Sequence, residues 1–198
     1  MTELKLQIIV GSTRQARFSE KPARYLFDEL KLRPNVDAEL VDLRDWPLPF
    51  FDLPISPARA NGKYGHELVE AWARKIASAD GYVMVTPEYN HGYPAVLKNA
   101  TDWTFAEWNH KPMSFVGWGN VGGARAIEQL RLVAVELEVA PLRHAVHILP
   151  DVMIAARQTD RDDLSVFAPL VPRLDLLADD LEWWMGALTP ARVASAAG

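Results

Sequence analysis

The chain has 198 residues, of which 49% are apolar and 24% charged, a composition typical of a soluble globular protein with a sizeable core. It contains no cysteine, so disulfides, thiolate metal sites and cysteine nucleophiles are excluded. The net charge of −5 argues against a nucleic-acid partner. Because no secretory signal and no apolar stretch of roughly 18 residues is recognisable, we expect a cytoplasmic protein without a membrane segment.

The first chemical signal is a polar turn between a strand and a helix. An apolar run from Leu6 to Val10 stops at Gly11, and hydroxyls and arginines fill residues 12–19 before a helical pattern begins. Free N–H groups and the helix dipole at such a position bind phosphate, and arginines add charge-assisted hydrogen bonds. The turn lacks the Walker and dinucleotide patterns, so it suits a phosphate monoester. An ordinary loop with surface arginines is the alternative.

The remaining chain alternates between strand and helix patterns. Helices are predicted over 19–32, 65–78, 94–108, 124–138 and 169–188, and further strands over 38–43, 82–86, 113–116 and 146–149. The proline-rich segment 44–61 and the segment 150–166 are predicted to be irregular. We expect residues 1–188 to form a single domain and the Ala- and Ser-rich tail, 189–198, to be frayed.

Five strands alternating with helices predict an α/β fold, a doubly wound parallel sheet with helices on both faces. With the strand order 2-1-3-4-5, the order reverses between strands one and three. Ligands of open α/β sheets bind at the carboxyl ends of strands where the order reverses. The polar loops that follow strands one, three and four are therefore expected to meet at a binding crevice.

Three stretches carry a family resemblance, and they lie in these same loops. They are Gly11-Ser12-Thr13-Arg14 with Arg17-Phe18-Ser19, then Thr86 to Pro94, and then Gly119 to Ala126. Together they resemble the NADPH-dependent FMN reductase family over roughly residues 5–149. The resemblance implies a flavodoxin-like fold, bound FMN, and NADPH or NADH as the hydride donor. It also implies a small-molecule electron acceptor, such as a flavin, a quinone, an azo compound or an oxidised metal ion.

The resemblance also assigns the residues that would hold FMN. Its phosphate would lie on Ser12, Thr13, Arg14, Arg17, Phe18 and Ser19. Its ring would lie along Pro87, Glu88, Tyr89 and Asn90, and the other side of the ring would be bordered by Gly117, Trp118, Gly119, Gly122 and Gly123. Trp118 departs from the Tyr or smaller residue of many relatives. No catalytic residue is predicted, because the flavin itself carries the hydride chemistry.

Several side chains have a second interpretation. Glu88 is a candidate general acid, yet it is equally well explained as a carboxylate that orders its own loop. Tyr89 either contacts the flavin ring or packs in the core. The five histidines show no metal-ligand spacing, so no metal is predicted. Ser12 lacks the Gly-x-Ser-x-Gly elbow of a hydrolase nucleophile.

Two further hypotheses concern partners and function. Trp103 and Trp108 lie on the helix that pairs across a dimer interface in similar proteins, so a homodimer or tetramer is expected. The alternative function is a flavodoxin-type FMN electron carrier that does not oxidise nicotinamides, and a flavin-free regulatory relative is a third. Arg14 and Arg17 favour the enzyme, because such carriers usually have a phosphate loop without arginines.

Overall fold

The structure, a computed structural model, describes residues 3–196 and is built on one parallel sheet. The strands are β1 (Leu4–Val10), β2 (Val36–Asp42), β3 (Gly81–Pro87), β4 (Pro112–Trp118) and β5 (Ala140–Ile148). They pair in the order β2-β1-β3-β4-β5, and all four pairings are parallel. The predicted doubly wound sheet and its strand order are therefore confirmed.

Helices cover both faces of the sheet. The α-helices are α1 (Glu20–Leu30), α2 (Glu67–Ala77), α3 (Ala95–Asp102), α4 (Ala124–Glu136), α5 (Pro150–Gln158) and α6 (Val171–Ala196). Because strand side chains alternate between faces, Val83 and Val85 pack with α1 and α6, whereas Tyr82 and Met84 pack with α2, α3 and α4. Within the described residues, no helix has both the length and the apolar character that would let it cross a membrane.

The structure corrects two predicted element boundaries near the middle of the chain. Helix α3 ends at Asp102, six residues before the predicted end, because the backbone of the following aromatic segment forms turns. Trp108 closes this segment by donating its indole N–H to Thr104 Oγ1 at 2.8 Å. Strand β5 begins at Ala140, well before the predicted start, and its alternating burial is that of an edge strand.

Two further corrections concern the last fifty residues. Residues 150–158 were expected to be irregular but form α5, with Pro150 at the first helical position, where a missing N–H costs nothing. Helix α6 runs through 189–196, which were expected to be frayed, and residues 197 and 198 lie outside the described range. Arg192 and Thr189 hold this last part of α6 by binding the carboxylate of Asp80.

The tryptophans proposed for a dimer interface lie inside the protein. Trp103 is 2% exposed and Trp108 is fully buried. The indole N–H of Trp103 donates to Pro49 O at 2.7 Å, so this side chain anchors the proline-rich loop. The argument for a dimer from these two residues is therefore wrong.

A buried lysine closes the end of the sheet opposite the carboxyl ends of the strands. Lys111 Nζ donates to Ile76 O at 3.0 Å and Ala77 O at 3.1 Å, the last carbonyls of α2, and to Glu107 O at 2.8 Å. Burial, with Arg192 nearby, lowers the pKa of this ammonium to about 7. Its charge therefore responds to pH within the neutral range.

Candidate functional site

Three loops converge at the carboxyl ends of β1, β3 and β4, as the sequence predicted. Ser12 Oγ lies 2.9 Å from Tyr89 Oη, which joins the first loop to the second. Trp118 Nε1 donates to Ser19 Oγ at 3.0 Å, and the N–H of Glu88 donates to Trp118 O at 3.0 Å. The loops enclose a cavity of about 710 Å³ that runs from Tyr89 and Trp118 to the start of α1 and the end of α5.

The turn after β1, which lines this cavity from Arg14 to Phe18, contains a run of backbone N–H groups without acceptors. The N–H of Gly11 still belongs to the sheet and donates to Val85 O at 2.9 Å. None of the backbone N–H groups from Ser12 to Ser19 has an acceptor among residues 3–196. Helix α1 follows at Glu20, and its dipole adds positive potential at the same place. The turn therefore has the geometry of an anion site.

An ion pair beneath the turn fixes its shape. The side chain of Arg17 is only 2% exposed, and its guanidinium forms a two-pronged pair with the carboxylate of Asp42. Arg17 Nη1 also donates to Ser12 O at 2.6 Å, while its Nε is buried with no acceptor among the described residues. Burial raises the pKa of Asp42, but the hydrogen bonds from Arg17 outweigh it and hold the pKa below its usual value.

The cavity wall is a row of three aromatic rings. Phe18 meets Trp118 edge to face at a centroid distance of 5.0 Å, and Trp118 meets Tyr89 in the same way at 6.4 Å. The guanidinium carbon of Arg14 lies 5.3 Å from the centre of the Tyr89 ring. Arg44 binds the backbone carbonyl of Arg14, so a second arginine positions this part of the turn.

The loop after β3 is ordered by an internal ion pair. Arg125, at the start of α4, donates its backbone N–H at 3.0 Å and its Nε at 2.6 Å to the carboxylate of Glu88. Burial raises the pKa of this carboxyl, yet the bonds from Arg125 hold it below its usual value. Glu88 is therefore ionised and fully engaged, which favours its interpretation as a loop-ordering residue.

The tip of this loop is a tight turn with two free donors. Tyr89 and Gly92 exchange backbone hydrogen bonds at 2.8 and 3.0 Å, so the N–H of Tyr89 is used within the loop. Asn90 and His91, at the tip, adopt φ angles of 50° and 69°, and their N–H groups have no acceptor in the described chain. His91 was not among the predicted site residues, although it belongs to the same motif.

The glycines of the third loop are required by the packing of the chain itself. Gly122 and Gly123 have φ angles of 64° and 71°, a region that side chains disfavour. A Cβ on Gly122 would lie 2.7 Å from His147 Cβ, and one on Gly123 would lie 2.7 Å from Trp118 N. His147 Nδ1 also lies 2.9 Å from Gly122 O, so β5 supports this turn, a contact that the sequence did not signal.

The structure places Gly117 and Trp118 at the end of β4 and the other three predicted glycines in the turn that follows. It also adds basic side chains to the cavity that were not among the predicted site residues, namely Lys21, Arg24, Arg44, Arg157 and Arg161. The last two lie on or after α5, a helix that the sequence did not predict, so no positional signal for them existed.

A parallel doubly wound sheet with an anion-binding first turn and two further loops at the same edge defines a flavodoxin-like protein. The model of the NADPH-dependent FMN reductase family matches residues 4–151 of the chain. An NAD(P)H-dependent FMN reductase of Schizosaccharomyces pombe is 42% identical over 152 residues, which are 76% of this chain and 76% of the relative. A 2-hydroxy-1,4-benzoquinone reductase of a Burkholderia species is 34% identical over 146 residues, 69% of this chain and 73% of the relative.

A solved structure agrees with the fold. The flavoenzyme NAD(P)H:acceptor oxidoreductase FerB of Paracoccus denitrificans superposes with a TM-score of 0.71 at 22% identity, covering 93% of this chain and 98% of FerB. The chain belongs to the NADPH-dependent FMN reductase family. It is an oxidoreductase whose cofactors are FMN and NAD(P)H.

The ion pair beneath the turn supports a stability prediction. Replacing Asp42 by Asn leaves the buried guanidinium of Arg17 without its counter-charge, so we expect a loss of about 2 kcal/mol in the free energy of unfolding at pH 7. Urea unfolding measures this loss. Because the pKa of Asp42 is lowered in the folded protein, its stabilising contribution is present above about pH 4 and disappears as the pH falls further. The gap between wild type and variant should therefore narrow in acid.

Asp162→Asn is the matched control, because Asp162 pairs with Arg24 at the surface with its side chain 82% exposed. It should unfold like the wild type. Equal stability of Asp42→Asn and Asp162→Asn would contradict the role given to the buried pair.

Proposed function

We propose that the chain catalyses the NAD(P)H-dependent reduction of small quinones, with FMN held at the carboxyl ends of β1, β3 and β4. The observation that carries this proposal is the run of unused N–H donors from Ser12 to Ser19 beside Arg14. When bound, FMN supplies the ring that accepts hydride from the reduced nicotinamide and releases electrons to the acceptor. The protein binds and orients the cofactors and excludes water from the site.

The donors of the first turn fit a phosphate monoester. The hydroxyls of Ser12 and Ser19 are engaged with Tyr89 and Trp118, so these serines would contribute their backbone N–H groups. Thr13 and Arg14 are exposed, so their side chains remain accessible to the phosphate. Arg17 would act from below, where its Nε is the buried donor without an acceptor. Phe18 would form the wall.

The second and third loops fit the edge and border of a flavin ring. Pro87 and Glu88 shape the loop, while Asn90 and His91 offer the free N–H groups for the pyrimidine edge. The opposite border is given by Gly117, Trp118, Gly119, Gly122 and Gly123. Arg125 keeps Glu88 ionised, so in this proposal Glu88 orders its loop and does not act as a general acid.

Two observations support the proposed acceptor class, the names of two relatives and a second cavity. Two relatives are named as quinone reductases, those of a Burkholderia species and of Escherichia coli. A cavity of about 280 Å³ adjoins the turn at Thr13 and Arg44, and most of its lining is apolar, from Leu43, Trp46, Pro47, Leu48 and Val96. Its size and apolar walls favour a small, flat acceptor.

We further propose a homodimer in a cytoplasmic location. With Trp103 and Trp108 buried, the support comes from the proline-rich loop, where Phe50 is 83% and Ile55 is 50% exposed.

Light scattering at micromolar concentration should give twice the chain mass, and Phe50→Ser should shift the equilibrium toward monomer. Leu32→Ser is the control, because Leu32 is 78% exposed on the opposite helix layer. A monomer mass for the wild type would contradict the dimer.

The phosphate assignment predicts a selective loss of affinity. Arg14→Gln removes a charge-assisted contact worth about 1.5–3 kcal/mol, so the dissociation constant for FMN should rise roughly ten- to a hundredfold. Riboflavin, which lacks the phosphate, should bind poorly to both proteins and with equal affinity. Quenching of flavin fluorescence measures both ligands. An equal loss for riboflavin would show that Arg14 supports the fold and does not contact phosphate.

The activity itself is tested with the visible spectrum of the purified, FMN-loaded protein. Adding NADPH without oxygen should bleach the flavin bands promptly, and adding a benzoquinone should restore them. Steady-state NADPH oxidation should then exceed the rate of free FMN at equal concentration. Bands that persist would favour the alternative, an electron carrier of the flavodoxin type, and a colourless protein that rejects FMN would refute the assignment of the turn.

A further inference from the structure

The cavity holds more positive charge than one phosphate requires. Seven basic residues and one acidic residue line it. Three of the basic residues are neutralised within the protein: Arg17 by Asp42, Arg24 by Asp162, and Arg161 by Glu20. In these three pairs a carboxylate of the protein compensates the charge of the guanidinium.

Two more of the basic side chains are used as structural donors. Lys21 Nζ binds the end of α5, at 2.8 Å from Ala156 O, 2.6 Å from Thr159 Oγ1 and 2.7 Å from Asp160 O. Arg44 binds the backbone carbonyl of Arg14. Lys21 thereby fixes the end of α5 against α1.

Of the seven basic residues that line the cavity, two remain, Arg14 and Arg157. Their guanidinium groups have no carboxylate or carbonyl partner among residues 3–196. Each lies over an aromatic ring, Arg14 at 5.3 Å from the Tyr89 centroid and Arg157 at 5.8 Å from the Phe18 centroid. Tyr89 and Phe18 are the two end members of the aromatic row, with Trp118 between them. The two free guanidinium groups therefore lie at opposite ends of one wall.

A stacked guanidinium is well prepared for an anion. Contact with the ring face fixes the plane of the group, while the N–H edge stays available for two hydrogen bonds to phosphate oxygens. In the proposed function, the phosphate monoester of FMN binds at the Arg14 end of the wall, where the run of free N–H groups begins. Arg157 is exposed near the end of α5, so its guanidinium is available to bind a second anion.

We propose that Arg157 binds a phosphate of the nicotinamide dinucleotide, an inference that rests on the proposed function. The dinucleotide offers this chemistry at two places, the pyrophosphate and, in NADPH, the 2′-phosphate. Helix α5 begins at the last two residues matched by the family model, which ends at residue 151, and Arg157 lies beyond it. Arg157 therefore lies outside the part of the chain that the family model matches, and Lys21 holds the helix that carries it.

The test compares the FMN-loaded wild type with the FMN-loaded Arg157→Gln variant in calorimetric titrations with NADP⁺ and NAD⁺. Loss of a charge-assisted contact should weaken NADP⁺ binding about tenfold or more, with FMN affinity unchanged. A loss for NADP⁺ alone assigns the contact to the 2′-phosphate, and an equal loss for NAD⁺ assigns it to the pyrophosphate. Correspondingly, KM for NADPH should rise more than kcat falls.

Arg24→Gln is the matched control, because Arg24 lines the same cavity but is paired with Asp162. It should change neither dinucleotide affinity. Unchanged NADP⁺ affinity and unchanged KM in Arg157→Gln would overturn the proposal, and so would a loss of FMN affinity in its place. Failure of the wild type itself to bind FMN would instead overturn the proposed function, and this proposal with it.

Discussion

The site depends on one buried ion pair. Asp42 ends β2 directly beside Val10, the last residue of β1, so its carboxylate lies under the turn that follows β1. Arg17 reaches back from the turn to that carboxylate and also binds Ser12 O, which closes the turn on itself. Because the guanidinium takes these acceptors, the backbone N–H groups of residues 12–19 are left without acceptors among the described residues.

The other two loops are tied to this turn by side chains, so contacts within the protein itself hold the shape of the cavity. Trp118 contacts Phe18 and Tyr89 by its ring and Ser19 by its N–H, and Tyr89 contacts Ser12. A preformed site avoids the entropic cost of ordering loops on binding. Several of the residues that resemble family motifs therefore hold one another in place, in addition to the ligand contacts proposed for them.

Sequence reasoning recovered the sheet order and the three site loops, because buried parallel strands are apolar runs and polar turns stand out between them. It could not recover contacts that depend on register. The role of Arg17 is set by a carboxylate 25 residues later, and that of Gly122 by His147 on the neighbouring strand. Helix α5 was missed because only Ala156 of its residues is fully buried, so its amphipathic pattern is weak.

The ammonium of Lys111 lies at the end of the sheet opposite the cavity, and the charges of these two regions respond differently to pH. Most of the charges that line the cavity are guanidinium groups, which stay protonated throughout the neutral range, and the carboxyl groups that order its loops, Asp42 and Glu88, have lowered pKa values. Lys111, with a pKa that burial lowers to about 7, donates hydrogen bonds to the last carbonyls of α2. The group whose pKa is lowered toward neutrality therefore lies at the opposite end of the sheet from the guanidinium groups that line the cavity.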